Sequence, residues 1–315
     1  LSIAFGVLFI AAQVPPHWLK IITFWLFMVG LLMLIAVPIV GESHKGAQRW
    51  LNFGVVLIQP SEMMKLIIPM MVAAYLSERT LPPAPKQQIA AALLIIIPVL
   101  LIAKQPDLGT SLLIASSGFF VLFLSGISWR IIGGLVVSGA SLLPILWLYL
   151  MKPYQKQRVL TFLNPESDPR GTGYHIIQSK IAIGSGQFWC KGYLQGTQTR
   201  LHFLPEQHTD FAFSVLAEEW GLVGVTGLLL LYLFLILWGL NIAKGSKDRF
   251  GAILAVGIVA IVFWQVVINV GMVTGLLPVV GIPLLLFSYG GSSLISTMAA
   301  MGLLMNISMR RFMFQ

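Results

Sequence analysis

Charge is scarce in this chain. Of its 315 residues 10% are Asp, Glu, Lys or Arg, and 11 are acidic. A soluble domain covers its surface with roughly 25–35% charged residues, so a freely soluble globule is excluded. Cysteine is nearly absent. Cys190 stands alone, which excludes an internal disulfide and a thiolate metal site. The five histidines show no ligand spacing, and His202 and His208 merely share a polar loop. Despite a net charge of +9, the basic residues are scattered singly, with no stripe of interleaved aromatics. That pattern excludes nucleic acid as a partner and suits the anionic headgroups of membrane lipids. No repeat period and no low-complexity tract is present.

What the chain has is apolar length. Hydrophobic residues make up 57% and the mean hydropathy is +0.88. A membrane-spanning helix needs roughly 20 apolar residues. Windows at 19–40, 63–76, 89–103, 108–124, 131–150, 211–240, 251–273 and 292–308 predict such helices, the shorter ones as broken or shielded spans. Residues 1–14 are also apolar and end at Pro15-Pro16. With no basic start they read as the remainder of a helix that begins upstream, not as a signal peptide. The expectation is an all-α, polytopic membrane bundle forming one domain over 1–315. Gly281-Ile282-Pro283 and Ser288-Tyr289-Gly290-Gly291-Ser292 flank an apolar patch too short to span. They predict a re-entrant or broken element, tolerated where protein buries it or it lines a cavity.

Lys and Arg in short loops set membrane orientation. Lys20, Arg79, Lys86, Arg130, Lys244, Lys247, Arg249, Arg310 and Arg311 fall in alternate loops, which therefore face the cytoplasm. The long polar segment, about 152–210, lies on the other side. Basic residues there and in short motifs on the same side either solvate loops or meet an anionic ligand.

Four polar constellations share that outer side. Lys45-Gly46-Ala47-Gln48-Arg49-Trp50 precedes Gln59-Pro60-Ser61-Glu62, with Lys65 one turn later. Pro60 and Ser61 read as a helix start with Ser61 as its cap. Glu62 and Lys65, three apart, share a helix face, as a structural ion pair or as part of a phosphate-binding site. Gln105-Pro106-Asp107-Leu108-Gly109-Thr110 places Asp107 as a helix cap or a site residue. In the long segment, residues 174–184 have helical spacing that fits a helix lying on the membrane surface. Gly184, Gly186, Gly192 and Gly196 follow, leaving backbone able to approach a ligand closely. Last comes Pro205-Glu206-Gln207-His208-Thr209-Asp210-Phe211-Ala212-Phe213, at the mouth of the longest apolar run. An acid held there is costly. Asp210 reads as an N-cap or as a functional carboxylate, and His208 as its neighbour or a solvated loop residue. Glu218 and Glu219 lie about 12–14 Å further along a helix and point roughly 100° apart. They cannot share one site wall, so at least one caps or pairs with another segment.

Lys45-Gly46-Ala47 with Arg49-Trp50, Gln59-Pro60-Ser61-Glu62 with Lys65, Gln105-Pro106-Asp107-Leu108-Gly109, His208-Thr209-Asp210-Phe211, Glu218-Glu219 and Ser288-Tyr289-Gly290-Gly291 stand in one order. Together they resemble the SEDS family (shape, elongation, division and sporulation). Residues 164–169 and 173–186 resemble its RodA branch. The resemblance covers nearly the whole chain. It implies a bundle of about nine to ten transmembrane helices, of which the first is missing here. Gln187-Phe188-Trp189-Cys190 departs from it, because the family favours glycines there.

The resemblance implies a peptidoglycan glycosyltransferase that polymerises lipid II at the outer face of the bacterial cytoplasmic membrane during cell elongation. The acceptor's 4-hydroxyl attacks the donor's anomeric carbon, the bond inverts from α to β, and the lipid pyrophosphate leaves. It further implies Asp210 as the base. Arg49, Lys65 and Lys180 are candidates for the phosphates, Glu62 orients Lys65, and Gln59 and His208 complete the candidate set. A pyrophosphate leaving group needs no proton donor, so one carboxylate suffices where glycosidases use two. A divalent cation, magnesium or manganese, is left open, with no ligand cluster to hold it. Implied partners are a class B penicillin-binding protein and other cell-elongation proteins. The rival reading is a lipid II flippase, but transporters place substrate contacts near the bilayer midplane, whereas most ionisable groups here gather at one side.

Overall fold

The structure, a computed structural model, describes residues 1–44, 47–52, 54, 57–80, 82–151, 153–168, 171–188, 191–193, 195–201, 203–204 and 206–310. Lys45, Cys190, His202 and Arg311 lie outside the described residues. Every apolar window forms a helix. These are α1 (Ser2–Gln13), α2 (Pro16–Val40), α3 (Pro60–Ser77), α4 (Pro85–Lys104), α5 (Leu108–Leu124) and α6 (Trp129–Ile145), the last continued by a π-helical turn at Leu146–Leu150. The long polar segment folds into α7 (Pro153–Leu163), a 3₁₀ turn at Pro165–Ser167, α8 (Thr172–Ser185) and α9 (Thr197–Arg200). Then follow α10 (Ala212–Gly245), α11 (Arg249–Val273) and α12 (Gly291–Arg310). Five helices, α2, α4, α10, α11 and α12, are long and apolar enough to cross a membrane, and α1 and α5 are shorter apolar helices. Proline opens α2, α3 and α4, where its missing N–H and fixed φ do no harm.

The all-α expectation misses one feature. Residues around Arg49 form a small antiparallel sheet of β1 (Glu42–His44), β2 (Ala47–Asn52) and β3 (Leu57–Ile58), in the order β1-β2-β3. Trp50 pairs with Glu42, and Leu51 with Ile58. Strands this short leave too little alternation to read in sequence.

The chain forms two compact units, both discontinuous in sequence. The first comprises 1–126, 232–265 and 290–315. Its centre is α3, which packs against α2, α4, α5 and α12 and buries Met64, Ile68, Val72, Ala73 and Leu76. A helix apolar on all sides belongs inside a bundle. α1 lies along α12. Gly302 backs so closely onto the Leu8 carbonyl that a Cβ would collide with it. Asn306, fully buried, donates to the Ala12 and Val14 carbonyls at 2.8 and 2.6 Å. Those carbonyls end α1 and have no partner within the helix.

The second unit comprises 127–231 and 266–289. In it α8 buries Ile176 and Ala182. Ser179 donates to the Val273 carbonyl at 2.6 Å and accepts from Ser214 at 2.7 Å. Between α11 and α12 the chain is not helical, as the Gly-Pro and Ser-Tyr-Gly-Gly motifs predict. Ile282, Leu284 and Leu285 are buried there. Ser288 closes a turn, its N–H donating to the Leu284 carbonyl at 2.9 Å and its hydroxyl accepting from the Leu284 N–H at 2.8 Å.

Candidate active site

In the first unit the polar motifs converge on Asp107. This carboxylate is 3% exposed and precedes α5. Its Oδ1 accepts from the Thr110 N–H at 3.3 Å, so it caps the helix. Its Oδ2 accepts from Ser61 at 2.9 Å and Gln59 at 3.2 Å, and Arg49 Nη1 lies 3.7 Å from Oδ1. The capping reading of Asp107 holds, and the residue is also the hub of a polar cluster. Ser61 is a correction. Gln59, not Ser61, occupies the cap position of α3, with no side-chain cap bond. The Ser61 hydroxyl is turned to Asp107 because a buried carboxylate is the stronger acceptor. Arg49 also donates to the Pro106 carbonyl, and its side chain keeps 25% of its exposure.

Glu62 and Lys65 form the ion pair that their spacing predicts, with Nζ 2.5 Å from Oε2. They are 7% and 5% exposed, and Ser296 of α12 donates to the same Oε2 at 3.4 Å. Two charges inside a membrane bundle persist only when each neutralises the other.

The second unit holds Asp210, His208 and Lys180. Asp210 is half-buried, followed by the buried Phe211. α10 begins at Ala212, so Phe211 and not Asp210 adjoins the helix. The Asp210 carbonyl accepts from Asn269 Nδ2 at 3.0 Å, and the same amide donates to the Ile282 carbonyl at 2.7 Å. The Tyr289 N–H donates to the His208 carbonyl at 2.8 Å. Gly281 has φ 72°, and a Cβ on it would lie 3.3 Å from Asp210 Oδ2. Only a glycine takes that conformation without strain, and it lets the 274–289 segment come up against the carboxylate. His208 is exposed beside Gln207. Lys180 is exposed on α8, its side chain lying over Gly275.

Three residues of this unit escape sequence reasoning. Asn269 is fully buried in α11, and a polar residue in an apolar run was the available signal. His175 of α8 packs its ring 6.1 Å from that of Phe211. Burial pushes its pKa down, against the opposing pull of Asp168 and Glu206. Lys191 pairs with Glu218 at 2.9 Å, the partner expected for one of the two adjacent glutamates. Two glycines of the long segment are a second correction. Gly186 and Gly196 approach Ala217 and Glu218 of α10, so what these two admit is a protein neighbour.

The family described as cell cycle protein, FtsW/RodA/SpoVE, matches residues 1–312. The chain belongs to this family. It is 53% identical over 314 residues to the peptidoglycan glycosyltransferase MrdB of Escherichia coli strain K12, covering 99% of this chain and 85% of that protein. It is 34% identical to the peptidoglycan glycosyltransferase RodA of Treponema pallidum, covering 94% and 84%. Among solved structures, a chain from a peptidoglycan synthase complex that coordinates polymerization and crosslinking matches with a TM-score of 0.84 at 34% identity, covering 99% of this chain and 88% of that one. The rod shape determining protein RodA of Thermus thermophilus matches with a TM-score of 0.71 at 31% identity, covering 99% and 87%. Polytopic membrane architecture is thus common to the family and to this chain.

Chemically, the second unit offers a carboxylate held at its backbone by Asn269 and faced by a glycine. The first offers two cations, each beside a carboxylate. Among the described residues no group of three or more His, Cys, Asp or Glu converges as a metal site would need.

Proposed function

We propose that this chain is a peptidoglycan glycosyltransferase that polymerises lipid II, with Asp210 as the base that accepts the acceptor's hydroxyl proton. The fixed backbone of Asp210 carries the reading. A base must stand within hydrogen-bond reach of the proton it takes. Asn269 pins the residue's own carbonyl, and Gly281 brings backbone with no side chain of its own up to Oδ2. As the proton leaves, the hydroxyl oxygen attacks the anomeric carbon from the face opposite the pyrophosphate. The C–O bond to the lipid pyrophosphate breaks, configuration inverts, and the leaving group departs as an anion.

Charge growing on that anion calls for cations. Arg49, a quarter exposed, offers a planar fork for two phosphate oxygens. Lys65 acts from inside its pair with Glu62, which holds the ammonium in place. Gln59 supports the same cluster through Asp107, and Lys180 and His208 complete the proposed contacts. A divalent cation, magnesium or manganese, would sit near Asp210 and offset charge on the substrate's phosphates. The proposal places the enzyme in the bacterial inner membrane, its site outward, in a complex with a class B penicillin-binding protein.

Asp210→Asn tests the base. The purified variant, given lipid II in detergent, is expected to polymerise roughly 10²–10⁴-fold more slowly. A wild-type rate overturns the assignment. Polymer formed in detergent also separates the enzyme from a flippase, because flipping has no meaning without a bilayer.

A further inference from the structure

At Gly221, inside α10, the backbone turns to φ 59° and ψ −159°, which makes two helices of one. Groups freed by such a break need partners where water is scarce. The described residues of 186–199, here called the strap, supply them. The Leu222 N–H donates to the Gln187 carbonyl at 3.0 Å, and the Gly192 N–H to the Glu219 carbonyl at 3.2 Å. Gly186 lies so close to Ala217 that a Cβ would strike its carbonyl oxygen.

Between these contacts sits Glu218, with 0% exposure. Its Oε1 accepts from Lys191 Nζ at 2.9 Å, Thr197 Oγ1 at 3.1 Å and the Gln198 N–H at 3.0 Å. Its Oε2 accepts from the Thr199 N–H at 3.3 Å and the Thr199 hydroxyl at 3.2 Å. A carboxylate fully buried with five donors, one of them cationic, ties the strap to the helix far more firmly than packing alone.

The short helix over 212–220 is therefore held at both ends from outside its own ladder. Glu218 and the strap hold the end beside the break, while Asn269 and Tyr289 hold the end at Asp210. Glu218 stands about 9 Å along the helix from its start at Ala212, with Asp210 two residues before that start, and so does not touch the reacting atoms. It can still govern them, since a tilt of roughly 5° about Gly221 moves the Asp210 end by about 1 Å, a misplacement on the scale that costs about 100-fold in rate.

We propose that Glu218, clamped by Lys191 and the 197–199 turn, is a positioning residue that fixes the direction of the 212–220 helix at its glycine pivot and so places Asp210. The proposal rests on Asp210 as the base, and a double-mutant cycle tests the two separately. Lipid II polymerisation is measured with the full-length protein in detergent for wild type, Glu218→Gln, Asp210→Asn and the double variant. Lys191→Met and Thr197→Val approach the same clamp from the strap side if Glu218→Gln fails to fold. The expected result is a fall in kcat of about 100-fold for Glu218→Gln with KM within about two-fold. In the Asp210→Asn background the same change should lower the residual rate by less than about three-fold, because the residue it positions is gone. Lys191→Met should lower kcat in the same sense, and Thr197→Val by less. An equal fold-loss in both backgrounds, or wild-type kcat in both Glu218→Gln and Lys191→Met, overturns the positioning role and leaves the base assignment standing. A wild-type rate in Asp210→Asn alone overturns both.

Discussion

His175 shows what a single half-buried side chain reports about the site. Its ring rests on Phe211, directly after Asp210, and burial lowers its pKa below the ordinary 6.5. The unfolded chain therefore binds a proton there at higher pH than the folded one does. Folding carries no penalty from this group above about pH 6.5. The penalty grows as pH falls from there to the depressed folded value, and is constant below it. Thermal unfolding in detergent should give a midpoint that drops as pH is lowered through this window. Replacing His175 by Gln, which cannot titrate, should flatten that part of the profile. A wild-type midpoint that is level across the window removes the argument.

At the scale of the element, α3 shows what sequence does and does not disclose. The spacing of Glu62 and Lys65 announces an ion pair on one face, and the structure forms it at 2.5 Å. Breaking such a buried pair from one side leaves an uncompensated charge, so Lys65→Met should cost roughly 3–5 kcal/mol of stability. The double change Glu62→Gln with Lys65→Met should cost much less, and calorimetry on the two variants decides. Equal losses would mean that the pair is not a unit. The other apolar helices were equally legible, because apolar runs bounded by Pro, Gly and polar loops carry their own limits, whereas α7 and α9 in the polar segment were not. The small sheet of β1, β2 and β3 was not, since strands of two to six residues leave too little alternation to read. Nor was the break at Gly221, because glycine in an apolar run looks the same whether the helix bends or not. A run of 34 residues did hold a hint, being about 51 Å of straight helix against a hydrocarbon core of about 30 Å. The partners of Asp107 and Glu218 come from segments distant in the chain, which no local pattern reveals. So the candidate residues of each motif were readable one by one, and the clusters that join them were not.

For the whole molecule, charge decides orientation, and the near absence of cysteine makes that decision testable. Lys20, Arg79, Lys86, Arg130, Lys244, Lys247, Arg249 and Arg310 fall on alternate connections or helix ends, with few acids among them. Short loops rich in Lys and Arg stay cytoplasmic, while a long segment translocates largely regardless of its charge. The 152–210 segment carries basic residues of its own and belongs to the second case, so the proposed orientation has it, with Asp210 at its end, on the outer face. Cys190 is the only thiol, and Cys190→Ser gives a background without one. Tyr193 is 71% exposed in the long segment, and Lys244 is exposed at the end of α10. In spheroplasts a membrane-impermeant maleimide should label Tyr193→Cys at once and Lys244→Cys only after the membrane is permeabilised. The opposite pattern would put Asp210 in the cytoplasm, where an enzyme polymerising exported lipid II could not work, and the proposed reaction would fall with the topology.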